Sequence, residues 1–171
     1  MWDEIADGAT GESVLWREAL RPNDERKLVA VFSPLADPRF AVGLETIYEG
    51  YLTHYGSSRL FAPADADVAL LLGDYLYAHG LVRVASFGET EAVSDLSELI
   101  SLSSQLRAEN AGGDGPLWAA SAALLGTGQR LDEARAALRL RGDPAPLEAA
   151  AREAAGDRAV DEALAAHAAL R

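Results

Sequence analysis

The sequence contains no cysteine, and this absence excludes disulfide bonds, thiolate metal sites and cysteine nucleophiles together. Histidine is also scarce, because His54, His79 and His167 are the only three, so a zinc cluster is poorly supplied. A chain without disulfides is typical of a reducing compartment. We therefore expect a cytoplasmic location.

Basic side chains are few as well. Lysine and arginine number 15 against 27 aspartates and glutamates, Lys27 is the only lysine, and the formal net charge is −12. Such a surface repels nucleic-acid phosphates and anionic lipid headgroups, so we expect no nucleic-acid partner. No run of about 20 apolar residues stands out, which predicts no membrane span. The acidic N-terminus, MWDEIADGAT, is unlike a signal peptide.

Residues typical of helix starts and ends divide the chain into helix-length segments. Asp37-Pro38 predicts the start of a helix that ends at Gly56, and Pro63 begins a second helix that runs to about Ser86. Further helices are predicted to begin near Thr90, Pro116, Asp143 and Asp157, after short ones at about 13–20 and 24–32. No alternating apolar pattern indicates a sheet.

These patterns predict an all-α, single-domain helical bundle of seven to nine helices over 1–171. Within it we expect short N-terminal helices over 1–35, the core over 36–126 and alanine-rich helices over 127–171. The second helix is apolar on nearly every side, which is typical of a helix at the centre of a bundle. Gly73 and Gly80 within it indicate close approach of a neighbouring helix.

Three stretches in the core are distinctive: Leu44-Glu45-Thr46-Ile47-Tyr48, Leu52-Thr53-His54-Tyr55-Gly56, and the apolar run that ends in Gly73-Asp74-Tyr75-Leu76. Between Leu44 and Asn110 the chain resembles the front half of the trans-isoprenyl diphosphate synthases, the polyprenyl synthetase family. The resemblance implies a truncated isoprenoid synthase fold.

The chain departs from that family at its metal-binding motif. Active members carry DDxxD on a helix, where carboxylates four residues apart hold Mg²⁺ against a diphosphate. Here His54 is followed by Tyr55-Gly56-Ser57-Ser58-Arg59, no Asp-Asp pair occurs anywhere, and we find no counterpart of the second aspartate motif. We therefore expect no prenyl transfer, and no metal cofactor, for the isolated chain.

This combination is similar to the small subunit of heteromeric hexaprenyl and heptaprenyl diphosphate synthases. The resemblance implies a non-catalytic subunit that helps set prenyl chain length, with a catalytic large subunit as partner and Mg²⁺ bound only there. The alternative is a stand-alone dimeric protein that binds an isoprenoid or another apolar ligand. An enzyme active by itself would need metal ligands that the sequence does not offer.

Several residues of the matched helices are candidates for a substrate or partner surface. For each, a structural role is the alternative: His54 as a satisfied histidine near a helix end, the tyrosines as core, and Asp74 as a buried carboxylate paired with Arg83, His79 or another chain. Asp65 and Asp67 fit a helix N-terminus better than a metal site. The candidates are Tyr51, His54, Tyr55, Asp74, Tyr75, Leu76 and His79.

The helices that carry Tyr48–Tyr55 and Asp74–Arg83 are predicted to form a protein interface, with Tyr51 and Leu76 as trial positions for its centre. We expect an obligate dimer, with a full-length prenyl synthase as the preferred partner and a self-pair when the chain is alone.

Overall fold

Nine α-helices and no β-strand make up the computed structural model, which describes residues 1–171. The helices are α1 (Trp2–Glu12), α2 (Val14–Ala19), α3 (Ala41–Tyr55), α4 (Ala66–Ala85), α5 (Thr90–Ala108), α6 (Asp114–Ala123), α7 (Asp132–Arg141), α8 (Ala145–Ala155) and α9 (Asp157–Leu170). Three short 3₁₀ turns occupy 23–25, 33–35 and 38–40. An isolated antiparallel bridge joins Leu20 to Phe61. The predicted all-α bundle of seven to nine helices is confirmed.

Local capping explains several helix boundaries. The Asp37 side chain accepts a hydrogen bond from the backbone N–H of Arg39, and Gly56 ends α3 as predicted. The Asp65 side chain caps α4 by accepting from Val68 N–H, so α4 begins three residues after Pro63. The role of Asp65 as an N-cap agrees with the prediction that Asp65 and Asp67 mark a helix N-terminus. Two expectations were wrong: α1 was not predicted, and 24–32 forms only a 3₁₀ turn and extended chain.

The antiparallel pair α3 and α4 is joined through glycines on both helices. A Cβ built at Gly80 would lie 2.8 Å from the carbonyl oxygen of Gly43, and one built at Gly50 would lie 2.9 Å from that of Gly73. The two backbones therefore approach more closely than any larger residue allows. The close approach predicted from Gly73 and Gly80 is confirmed.

The main core lies on the other side of α3, where aromatic rings fill the interior. Trp118 of α6 is fully buried, with its ring 5.0 Å from that of Tyr48, 5.4 Å from that of Tyr51 and 5.6 Å from that of Phe32. Helices α5, α8 and α9 pack around α6 and close this core.

A second, smaller core joins the α1–α2 hairpin to α4. Ile5 and Ala9 of α1 pack there with Leu72 and Leu76. The indole of Trp2 covers the Arg59 guanidinium at 4.7 Å from the ring centroid.

The central helix is α3, whose residues from Gly43 to Leu52 are all buried. The expectation that α4 is central was wrong. Only five of its residues are buried: Leu72, Gly73, Leu76, Gly80 and Val84. Its apolar side chains therefore divide between a face packed on the chain and a face that remains exposed.

Candidate functional site

The exposed face of α4 carries large apolar side chains. Leu70 is 54% exposed, Leu71 57% and Val82 66%, and Ala78 lies exposed between them. Positions 70, 74, 78 and 82 are four residues apart, and position 71 comes three before 74. This spacing places all five on one side of the helix. We call this face, from Leu70 to Val82, the α4 stripe. In a chain with a net charge of −12, an exposed helix face of this composition is suited to binding another protein.

Asp74 lies in the middle of the α4 stripe. Its side chain is 66% exposed, and its Oδ1 lies 3.3 Å from Nε2 of His54, whose side chain is only 9% exposed. The expectation that Asp74 is buried was wrong, and so was its pairing with Arg83 or His79. Arg83 forms an ion pair with Glu4 instead.

The His54 imidazole is held between α3 and α4. Gly73 has no side chain, and a Cβ there would clash with the ring, so the glycine makes room for the histidine. Burial lowers the pKa of His54, although the Asp74 carboxylate acts in the opposite direction. The ring is therefore neutral at pH 7 and serves Asp74 as a hydrogen-bond partner without neutralising its charge. This agrees with the interpretation of His54 as a satisfied histidine.

Tyr55 lies beside this pair at the end of α3 and is half-buried. Its ring centroid lies 5.5 Å from that of His54, and the Arg107 guanidinium lies 5.9 Å from it on the other side. The structure thus brings three predicted residues together beside the α4 stripe: His54, Tyr55 and Asp74.

Tyr75 and His79 point away from the α4 stripe and contact the N-terminal hairpin. The Tyr75 hydroxyl donates to the carbonyl oxygen of Gly8 at 3.0 Å and lies 3.3 Å from Nδ1 of His79. The Tyr75 ring lies 4.2 Å from that of Trp16. In this chain both residues therefore fix α1 and α2 on α4.

Tyr51 and Leu76 have no exposed surface at all. Neither residue can form the centre of a surface contact in this conformation, so the surface role expected for them was wrong. Tyr51 belongs to the aromatic core and Leu76 to the smaller core beneath the hairpin. The structural alternative, that the tyrosine pattern marks core positions, holds for Tyr48 and Tyr51.

Two buried polar clusters were missed by the sequence interpretation. In the first, the fully buried Arg59 donates to Glu45 at 2.5 Å and to Glu49 at 2.8 Å. Glu45 Oε1 also accepts the backbone N–H groups of residues 31–33 at 2.9–3.2 Å. Two glutamates four residues apart in an otherwise apolar helix were the available signal. The cluster fixes the 57–61 loop and the 29–33 segment on α3.

The second cluster surrounds Asp114, the first residue of α6. Its Oδ2 accepts from the Tyr51 hydroxyl and lies 3.4 Å from Nε2 of His167, while Arg171 Nη1 lies 3.0 Å from Oδ1. The Tyr48 hydroxyl lies 2.8 Å from Nδ1 of His167. Burial by itself raises the pKa of Asp114, but hydrogen bonds to His167 and Tyr51 lower it well below its ordinary range. All but Arg171 are buried, so the cluster fixes α9 in the core.

A cleft of about 640 Å³ lies between the start of α5 and the loop that precedes α7. Only one of its 15 lining residues, Ala92, is apolar, and Arg135 at its edge is paired with Asp95 at 3.0 Å and with Glu98 at 3.1 Å. A lining of this kind does not suit an isoprenoid chain.

No group of three or more His, Asp or Glu side chains lies where it could share a metal ion. Helix α4 is long and apolar enough, by length and composition alone, to cross a membrane, with a mean hydropathy of 1.2. Only 28% of its most apolar window is buried. One such helix is weak evidence, so the structure gives no clear membrane span.

Comparison with known proteins found no family model, no curated protein and no solved structure that matches this chain. The resemblance to the polyprenyl synthetase family therefore stays a prediction, and the site must be interpreted from its own geometry.

Proposed function

We propose that this chain is a non-catalytic partner subunit that binds another helical protein through the α4 stripe. The partner that the sequence resemblance suggests is the catalytic subunit of a polyprenyl diphosphate synthase, whose prenyl product length this chain would help to set. The observation that carries the proposal is the exposure of Leu70, Leu71 and Val82 on one helix face.

Covering the α4 stripe with a partner would contribute free energy to binding. Burying a leucine or valine side chain fully stabilises by about 1.5–3 kcal/mol, so covering three that are roughly half-exposed contributes about 3 kcal/mol. A specific complex needs more than this, because association costs at least about 4 kcal/mol of lost freedom. The α4 stripe is therefore the centre of a larger contact.

Binding of a free isoprenoid, the alternative function, has less support. The aromatic rings around Trp118 fill the core, and the cleft of about 640 Å³ is polar. A second cleft of about 390 Å³ beside α7 has apolar residues at only half of its lining. A ligand of this class would need an apolar cavity that surrounds most of its surface.

The test is co-expression with a full-length prenyl synthase that carries both aspartate motifs. We expect one complex in size-exclusion chromatography and native mass spectrometry, and a changed distribution of prenyl product lengths when this chain is present. Leu71→Glu combined with Val82→Glu should abolish the complex. Leu140→Glu is the matched control, because Leu140 is 77% exposed on α7, outside the α4 stripe.

Two results would contradict the proposal. One is the absence of a complex with the unmodified chain at high micromolar concentration. The other is an equal loss of binding in the α4 double variant and in Leu140→Glu, which would show that the site of the substitution is unimportant.

A further inference from the structure

Asp74 is the only charged side chain between Leu70 and Val82 on α4. Its carboxylate is 66% exposed and lies among apolar neighbours. The fold does not need this charge, because its one ion-pair contact is with His54 at 3.3 Å. A carboxylate in the middle of a surface that is otherwise suited to burial calls for an explanation.

Covering the α4 stripe with a purely apolar partner would leave Asp74 desolvated without a counter-charge. Burial lowers the pKa of His54, so its imidazole is neutral at pH 7 and supplies a hydrogen bond but no positive charge. An unpaired charge inside an interface is strongly unfavourable. A cation from the partner would remove this cost.

A second copy of this chain that pairs α4 with α4 does not supply that cation. Its own α4 stripe would bring another Asp74, and the nearest base on that helix, Arg83, is already paired with Glu4. The whole chain has a net charge of −12, which opposes self-association further. Charge complementarity thus favours a different protein over a pairing of two α4 stripes.

We propose that the partner binds with an apolar helix face that carries one lysine or arginine, and that this side chain pairs with Asp74 on the α4 stripe. The inference rests on the proposed function and adds the chemistry of the partner. His54 Nε2 lies 3.3 Å from Oδ1 of Asp74, which leaves Oδ2 for the partner.

The test measures the affinity of the co-expressed prenyl synthase for Asp74→Asn and Asp74→Lys. Removing one member of a buried charge pair weakens binding by about 30-fold or more, and reversing its sign should weaken it further. Glu153→Gln is the matched control, because it removes one carboxylate charge from the exposed side of α8, a helix that packs on α6, α7 and α9, and we expect its affinity within about threefold of the unmodified chain. Thermal unfolding should be nearly unchanged in all three variants, because both side chains are exposed.

The outcomes separate this inference from the proposed function. If the unmodified chain binds no synthase, both fail. If it binds and Asp74→Asn binds as tightly as Glu153→Gln, the subunit role stands and the charge pair is wrong. A self-pair of the chain whose cross-links join two copies of α4 would also overturn the inference.

Discussion

Gly80→Ala tests how closely α3 and α4 approach each other. The added Cβ would lie 2.5 Å from Cγ1 of Ile47, 2.8 Å from the carbonyl oxygen of Gly43 and 3.1 Å from the backbone nitrogen of Ile47. A comfortable carbon–oxygen contact is about 3.4 Å, so the helices must separate by roughly 0.6 Å at this point. The Ile47 side chain can rotate, but the two backbone atoms can move only with the whole of α3.

The expected magnitude follows from two opposing terms. Overpacking of a rigid contact costs about 1–3 kcal/mol, and a backbone obstruction belongs at the upper end. Alanine gains about 1 kcal/mol over glycine in helix propensity. We therefore expect Gly80→Ala to lower the free energy of unfolding by about 2 kcal/mol.

The assay is urea denaturation followed by circular dichroism, with midpoint and slope fitted for each variant. Gly11→Ala is the matched control, because Gly11 also lies in a helix but a Cβ there meets nothing within 4 Å. It should be neutral or stabilise the chain by up to about 1 kcal/mol. A Gly80→Ala variant as stable as the unmodified chain would refute the close approach of the two helices.

Three further perturbations address the buried clusters and the metal question. Arg59→Met leaves two buried glutamates without their counter-ion and should lower the free energy of unfolding, measured by chemical denaturation, by about 3–5 kcal/mol. Arg83→Met is the comparison: it removes a partly exposed ion pair and should lower that free energy by less than about 1 kcal/mol. Comparable losses would contradict the arrangement around Arg59. The pKa of Asp114 is depressed, which means that its ionised form stabilises the fold. Above about pH 5 the unmodified chain should therefore exceed Asp114→Asn in free energy of unfolding by a constant amount. This advantage should be lost as the pH falls below the ordinary carboxyl pKa of 3.8. An advantage that grows on acidification would show the opposite sign of the shift. Millimolar Mg²⁺, with or without pyrophosphate, should give no saturable heat in calorimetry and no thermal shift, and a specific stabilisation by the two together would show that metal ligands were overlooked.

The sequence by itself determined the helical class and many helix boundaries. Asp37, Gly56 and Asp65 mark helix ends through hydrogen bonds or backbone conformations that involve residues only a few positions away, so a local pattern is sufficient to find them. The glycines of α4 likewise indicated close helix approach, because glycine is unfavourable inside a helix unless space requires it.

The tertiary structure alone decided which helix is central. Helix α4 is more uniformly apolar, yet α3 is the buried one, even though it carries two glutamates. Arg59 reaches those carboxylates from a loop outside α3 and supplies the charge that permits their burial. Composition shows how apolar a helix is, but its burial depends on the side chains that pack against it from elsewhere in the chain.

Packing partners from elsewhere in the chain also explain why neighbouring predicted site residues have different surroundings. Asp74, Tyr75 and Leu76 are consecutive, and the rotation of about 100° per residue in a helix sends them to three surroundings: the exposed α4 stripe, the N-terminal hairpin and the smaller core. The sequence placed all three on one apolar helix. Only the packing of α3 and of the hairpin against two sides of α4 determined that Asp74 faces outward, where a partner can reach it.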